Sequence, residues 1–505
     1  MLKNIIANFI GKFWSLLSVF IFIPLYIDLL GFEAYSVISF TLIIVGVLVV
    51  LDAGLTSTLS RELAREDTSK LDKVDLLKNL ETVYLIVISL LILSVCLMSE
   101  FIAENYIDSD YSVEELSLIL KILGVEVGFQ MLLRFYLGGL LGLEKQVLAN
   151  ILQIFWGILR NGVVVLLLIL SPSLLLFFVW QLVATFIFVL LIKGYLAKHL
   201  IGAFSLRLTL KLERKVLKKI WKFAGGVMLI ALVGAINTQM DKIVISQVLS
   251  IEALGYYTLA VSLSAVLLII VTPISVSLLP RFTALYSLGR LEESNKLFSV
   301  VNIVTSILVF SVMSHILFFP KELIWIWTGR LNLAESVSDV LPIISVSFAF
   351  LALAIIPYNI VIANGYTKLN NILGIISLSL TVPGYWIFTS KYGAVGAAIV
   401  FCIIQTITTI VYFYFVNRKF LNIKISQLYI GNIFLPFCAS VIIAGSISLI
   451  PIDLWQNRFY ALVWIGLSTL FCFLISARLF IEKRYWVGAN DFFLKKVKHI
   501  KTSRD

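Results

Sequence analysis

Runs of about 20 apolar residues, broken by short polar stretches, recur fourteen times along the chain: 4–27, 36–60, 80–98, 116–140, 147–170, 174–192, 223–248, 256–279, 297–319, 340–363, 370–389, 394–415, 427–450 and 458–477. Runs of that length are long enough to cross a bilayer as helices. The pattern predicts an all-α polytopic membrane protein of about fourteen transmembrane helices. Charges inside the runs are few. Lys12 and Asp52 each lie about eight residues inside the first and second runs, roughly 12 Å deep at 1.5 Å per residue. A charge at that depth costs about 2.5 to 3.5 kcal/mol, so it is expected to face a partner or a wet cavity. Asn4, Asn8, Lys12 and Ser15 share one helical face with it.

Two stretches repeat. YSVISFTLIIVGVLVVLDAGLTSTLSR, ending at Arg61, answers to YYTLAVSLSAVLLIIVTPISVSLLPR, ending at Arg281, and Gly142 to Lys145 with Asn150 answers to Gly365 to Lys368 with Asn371. Offsets of 220 to 223 residues imply that a block of six helices is duplicated in parallel, and such folds place their ligand between the lobes. The expected organisation is a first lobe over 1–195, a basic linker with an amphipathic helix over 196–222, a second lobe over 223–416, two additional helices over 427–477 and a basic tail over 478–505.

Composition agrees with the pattern. Of 505 residues 60% are hydrophobic and 14% charged, and the mean hydropathy is +1.02, far from the roughly 25% charged residues of a soluble globule. The net charge of +11 is topological rather than a nucleic-acid footprint: with the N-terminus inside, 31 of the 40 basic residues fall on the inner side and only Lys321, Arg330, Lys391 and Arg458 on the outer. That bias places both termini in the cytoplasm. The outer segment from Glu100 to Glu115 has six acids and no base. In the linker, Val216, Leu217, Ile220 and Trp221 oppose Lys215, Lys218, Lys219 and Lys222, a face suited to anionic lipid headgroups. The four cysteines all lie within apolar runs and the three histidines are scattered, so no disulfide framework, metal-ligand spacing or cofactor is expected.

The remaining chemistry lies in the buried charges. Glu126, Gln130 and Arg134 follow one another at i+4 steps, Asn150, Gln153, Gly157 and Arg160 share a second face, and Asn237, Asp241 and Lys242 lie in the seventh run. Lys12 with Asp52, Glu126 with Arg134 and Asp241 with Lys242 could be ion pairs that only hold helices together. Arg160 has no acid on its own helix, however, and the set together suits a hydrated vestibule with a basic floor for an anionic ligand.

The opening NFIGKFWSLLSVFIFIPLYIDLLGFEAYSV, the LDAGL followed by SRELAR, the NTQMDKIVISQVLSIEALGYYTLA and the NGYTKLNNILGI turn together resemble polysaccharide flippases of the Wzx type, in the multidrug, oligosaccharidyl-lipid and polysaccharide exporter superfamily. The resemblance implies a bacterial inner-membrane carrier of undecaprenyl-diphosphate-linked oligosaccharide for O-antigen, capsule or exopolysaccharide assembly, working beside a polymerase and a chain-length regulator. It implies substrate-binding roles for Lys12, Arg134, Arg160, Asn237 and Lys242, and makes Asp52, Glu126 and Asp241 candidates for proton or sodium coupling. A cation-coupled multidrug exporter of the same superfamily is the nearest alternative. A membrane polysaccharide polymerase or glycosyltransferase is a third reading, for which the outer loops are short and lack acid, base or metal clusters.

Overall fold

The computed structural model describes residues 2–48, 53–65, 69–207, 210–213, 234, 236, 238–366 and 368–481. Among them the chain is helical throughout: α1 Leu2–Leu30, α2 Phe32–Leu48, α3 Ala53–Ala64, α4 Lys70–Tyr106, α5 Val113–Gly142, α6 Gln146–Leu170, α7 Leu174–Ile201, α8 (238–248), α9 Ile251–Ser287, α10 Leu291–Phe318, α11 Pro320–Thr328, α12 Leu331–Val337, α13 Leu341–Ala363, α14 Lys368–Val416, α15 Gln427–Ser448 and α16 Arg458–Phe480. Ten helices among the described residues are long and apolar enough to cross a membrane, and two shorter apolar stretches, Leu17–Leu30 and Phe32–Leu48, accompany them. The protein is a multi-pass membrane protein. The run expected over 223–248 is described only at its end, and the amphipathic helix of the linker and the tail from residue 482 lie outside the described residues.

Helix starts are set by local side chains. Ser69 accepts from the Asp72 amide at 3.2 Å and Ser112 from the Glu115 amide at 3.2 Å, each satisfying a donor the first turn leaves free and placing an acid at the positive end of the helix. The Ser69 cap starts α4 ten residues before its apolar run. At the end of the sixth predicted run, α7 continues nine residues past the expected boundary at 192, because Leu196, Ala197 and Leu200 remain buried, and it stops at Gly202 with φ +93°. Lys193, expected in the inner loop, is therefore a buried residue of a helix.

The repeated turns share one backbone design. After α5 the amides of Leu143, Glu144 and Lys145 donate to the carbonyls of Gly139, Leu141 and Leu140, and after α13 those of Asn364, Gly365 and Tyr366 donate to Ile360, Ile362 and Val361. Both helices thus end in the same cap, and the bonding overlays Glu144, rather than Gly142, on Gly365. The cap requires a left-handed residue, with φ +58° at Glu144 and +65° at Gly365. Only the first copy is strained there. Glu144→Gly is expected to stabilise the protein by about 1 kcal/mol, read as a higher midpoint of denaturation in detergent.

Two compact units result, one of Met1–Leu259 with Gly374–Val400 and one of Ala260–Leu373 with Phe401–Asp505. In the first, α5 is the central helix, packed on α3, α4, α6 and α7. Its Gly138, Gly139 and Gly142 lie so close to Thr56, Leu196 and Ser60 that a side chain there would collide with them, the close approach that small residues give membrane helices. In the second, α10 packs on α9, α13, α15 and α16. Its Ser311 and Ser314, with Ser440 and Ser476 of the neighbouring helices, surround the buried thiol of Cys472. Asn359 of α13 donates to the Ser275 carbonyl at 2.9 Å, and Arg458 donates to the Ile326 carbonyl at 2.7 Å, neutralising the C-terminal end of α11. α14 breaks at Gly393, between the runs expected over 370–389 and 394–415, with φ +62° and ψ −149°, a conformation essentially restricted to glycine. The helices continue through Pro357 and Pro383.

The start of the linker is tied to α4. The Lys211 amide donates to Thr82 Oγ1 at 2.9 Å, the Glu213 amide to Asn79 Oδ1 at 2.6 Å, and Lys211 Nζ lies 2.9 Å from Asp75 Oδ2. The ion pair is exposed and contributes little, so the two amide bonds, about 1 kcal/mol each, hold the segment. Replacing both acceptors (Asn79→Ala with Thr82→Val) removes about 2 kcal/mol and is expected to speed limited tryptic cutting after Lys211 roughly thirtyfold.

Candidate functional site

Charges that sequence placed on separate helices meet around Glu126. Its side chain is buried to within 2% and its carboxylate accepts from Gln130 Nε2 at 2.8 Å to each oxygen, from Thr185 Oγ1 at 3.1 Å and from Arg160 Nη2 at 3.2 Å. Thr185 in turn accepts from Trp156 Nε1 at 3.3 Å, and the Arg160 guanidinium lies over the Trp156 ring, 5.2 Å from its centre. A buried carboxylate is tolerated only when paired and fully hydrogen-bonded. Glu126 meets both conditions, drawing on α5, α6 and α7.

Arg160 is near the middle of the 25-residue α6 and sits on a π-helical turn, Leu159–Val163. The widened turn changes the direction in which the side chain leaves the helix and frees backbone groups, which neighbours take up: Trp180 Nε1 donates to the Leu159 carbonyl at 3.1 Å and Gln181 Nε2 to that of Arg160 at 3.5 Å. π-Turns inside helices are frequent at functional sites. The Arg160 side chain keeps 23% of its surface, and its Nε is out of contact with solvent and has no hydrogen-bond partner, as is Gln181 Oε1. Arginine has five N–H donors in a rigid fork. One, on Nη2, is spent on Glu126 and the Nε donor is enclosed, so the group is a restrained cation that an oxyanion would meet at its remaining Nη donors.

A second buried pair was not foreseen. Glu81 of α4 and Lys193 of α7 are 2.7 Å apart with side chains only 6% and 11% exposed. Tyr136 of α5 donates its hydroxyl to Glu81 and presents its ring to Lys193. The available signal was an acid and a base standing at the ends of apolar runs, where each passes for a solvated border residue. Asp241 is also buried; it accepts from Tyr257 at 2.8 Å and from the Lys242 amide at 2.8 Å. Among the described residues no ion pair links it to the Lys242 ammonium, which donates to Gln239 Oε1 at 3.1 Å.

The structure therefore brings Glu126 together with Arg160, whereas the sequence paired it by spacing with Arg134, an exposed residue of α5. Lys12 lies on α1 but its side chain is outside the description, and Asp52 and Asn237 fall outside the described residues. Among the described residues there is no group of three histidine, cysteine, aspartate or glutamate side chains that could hold a metal.

Comparison with known proteins extends this picture. Residues 1–286, more than half of the chain, match the family of polysaccharide biosynthesis proteins. The chain belongs to the polysaccharide biosynthesis protein family. A relative from Shigella flexneri, named "Putative O-antigen transporter", is 22% identical over 379 residues, covering 73% of this chain and 86% of that one. Among solved structures, the lipid II flippase MurJ in an inward closed conformation superposes with a TM-score of 0.72 at 18% identity, covering 95% of this chain and 99% of that one. An inward-facing MATE multidrug transporter gives 0.65 at 15% identity, covering 81% and 94%. The fold of this polysaccharide biosynthesis protein is thus that of the MurJ and MATE transporters, as the resemblance implied.

Proposed function

We propose that this protein is a flippase that carries an undecaprenyl-diphosphate-linked oligosaccharide from the cytoplasmic to the periplasmic face of the inner membrane, for assembly of O-antigen, capsule or exopolysaccharide. The observation that carries the reading is Arg160: a mid-helix cation, fixed by Glu126 and Trp156, with donors to spare, in a chain of the polysaccharide biosynthesis family. Phosphate oxygens match the planar fork of a guanidinium. A wholly structural arginine would be enclosed, whereas the Arg160 side chain keeps 23% of its surface.

In this mechanism the diphosphate meets Arg160 first, with Lys12, Arg134, Asn237 and Lys242 completing the path, while the polyprenyl tail stays in lipid. The two repeated lobes alternate in access, and no covalent bond is made or broken. Glu126 serves chiefly to position Arg160, since its carboxylate is already bonded to Gln130, Thr185 and Arg160. Asp241, with its tyrosine partner, and Asp52 are the stronger candidates for coupling to protons or sodium. The polymerase and the chain-length regulator are proposed as partners, and anionic lipids as contacts of the basic linker.

The decisive experiment is deletion followed by sidedness analysis of lipid-linked sugar. Accumulation on the cytoplasmic leaflet supports transport. Accumulation of single repeat units on the periplasmic leaflet indicates a polymerase instead, and an unchanged sugar distribution with raised drug sensitivity indicates a multidrug exporter.

A further inference from the structure

A cavity of about 500 Å³ lies within the first unit, between the C-terminal end of α4, the loop over 107–112 and the C-terminal end of α8. It belongs to none of the charge clusters above. Its size is that of an ordinary small-ligand site, and its walls are polar: Glu104, Asn105, Tyr106, Asp108, Tyr111 and Gln247 contribute. The loop is held in place. The Asp110 amide donates to Glu33 at the start of α2, and Ser112 caps α5 immediately beyond.

The wall chemistry selects among ligands. Two helices end here with their carbonyl ends towards the cavity, and a helix C-terminus has acceptors left over and a negative partial charge. The carboxylates of Glu104 and Asp108 add to that charge, so a phosphate is disfavoured. Asn105 turns its amide nitrogen back to the Phe101 carbonyl at 2.9 Å, which leaves its oxygen to accept. Burial, and the Glu33 and Glu115 carboxylates, push the Tyr111 phenol above its ordinary range, so its hydroxyl remains a donor at any physiological pH. The Ser109 hydroxyl, also in the wall, is out of solvent contact and has no partner. A divalent cation is disfavoured because among the described residues no three acidic side chains converge. Acceptors in excess, a few donors and two aromatic rings suit a molecule dense in hydroxyl groups with an apolar ring face.

We infer that this cavity is a carbohydrate site that receives the sugar end of the transported molecule on the periplasmic side. Its sidedness follows from the acidic, base-free segment from Glu100 to Glu115 and the positive-inside rule, and the identity of its ligand rests on the flippase reading. The site separates the two ends of the substrate by charge: phosphate at the basic Arg160, sugar at an acidic pocket.

The test uses the full chain purified in detergent and, as probe, the oligosaccharide released by mild acid from the source cell's own carrier lipid. Binding is followed by intrinsic fluorescence. Saturable binding is expected, at least fivefold weaker for Asp108→Asn and for Gln247→Leu, both exposed positions whose replacement leaves the fold intact, and unaffected by millimolar inorganic pyrophosphate. No binding to the wild-type chain, equal affinity in both variants, or displacement by pyrophosphate each overturns the site. Failure of the flippase reading is read separately, in the sidedness of lipid-linked sugar in the deletion strain, which does not depend on this pocket.

Discussion

Replacing Arg160 by alanine is expected to reduce transport of lipid-linked sugar by roughly 10- to 100-fold while leaving protein in the membrane. Hydrogen bonds to a charged group are worth about 1.5 to 3 kcal/mol each, and the substitution removes the guanidinium from mid-helix. It also strands Glu126, whose carboxylate would keep Gln130 and Thr185 but lose its only ion-pair partner among the described residues. A stability loss would therefore accompany the transport loss and could be mistaken for its cause. Glu126→Gln with Arg160 retained separates the two. It removes the buried carboxylate and keeps the cation, which is 23% exposed and can still be hydrated, so transport should fall less than in Arg160→Ala. The double variant should recover stability without recovering transport. Surface polysaccharide and membrane abundance, measured on the same cells, check both. Full surface polysaccharide in Arg160→Ala cells would remove this arginine from the substrate path.

The largest effect on stability is expected at Lys193. With Glu81 and Lys193 both nearly enclosed and 2.7 Å apart, Lys193→Met leaves a buried carboxylate without its counter-charge, a loss of about 3 to 5 kcal/mol. Tyr136 alone cannot replace the cation. Adding Glu81→Gln should restore most of the loss, since an uncharged pair has no unpaired charge to bury. Chemical denaturation in detergent across the four proteins of the cycle gives the coupling between the two sites. Additive losses would show that the two side chains do not depend on each other.

The difference between these two pairs also explains what sequence could reveal. Apolar runs were legible because bilayer thickness imposes a minimum length on every spanning helix, and even the break at Gly393 fell between two predicted runs. Helix ends were less legible. They depend on capping serines and on buried faces beyond the bilayer core, which is why α7 reached past Lys193. Partner choice was not legible at all. The i+4 series on α5 suggested that Glu126 would pair along its own helix with Arg134, but a buried carboxylate takes whichever donor three-dimensional packing brings, and that was Arg160 on α6. The repeat was visible, yet its register near the turn was settled only by backbone bonding, which overlays Glu144 on Gly365 because position in the cap matters more than residue identity.

The widened turn at Leu159–Val163 makes the length of its helix quantised. Removing one residue there would return the backbone to ordinary winding, since a π-turn holds one residue more than its α counterpart. The stretch from Val164 to Leu170 could then keep the face it now shows its neighbours. Removing a residue elsewhere in the same helix would instead rotate everything beyond the cut by about 100°. A single codon deletion is thus tolerable by the scaffold at one place in this helix, and that place is where the guanidinium gets its aim.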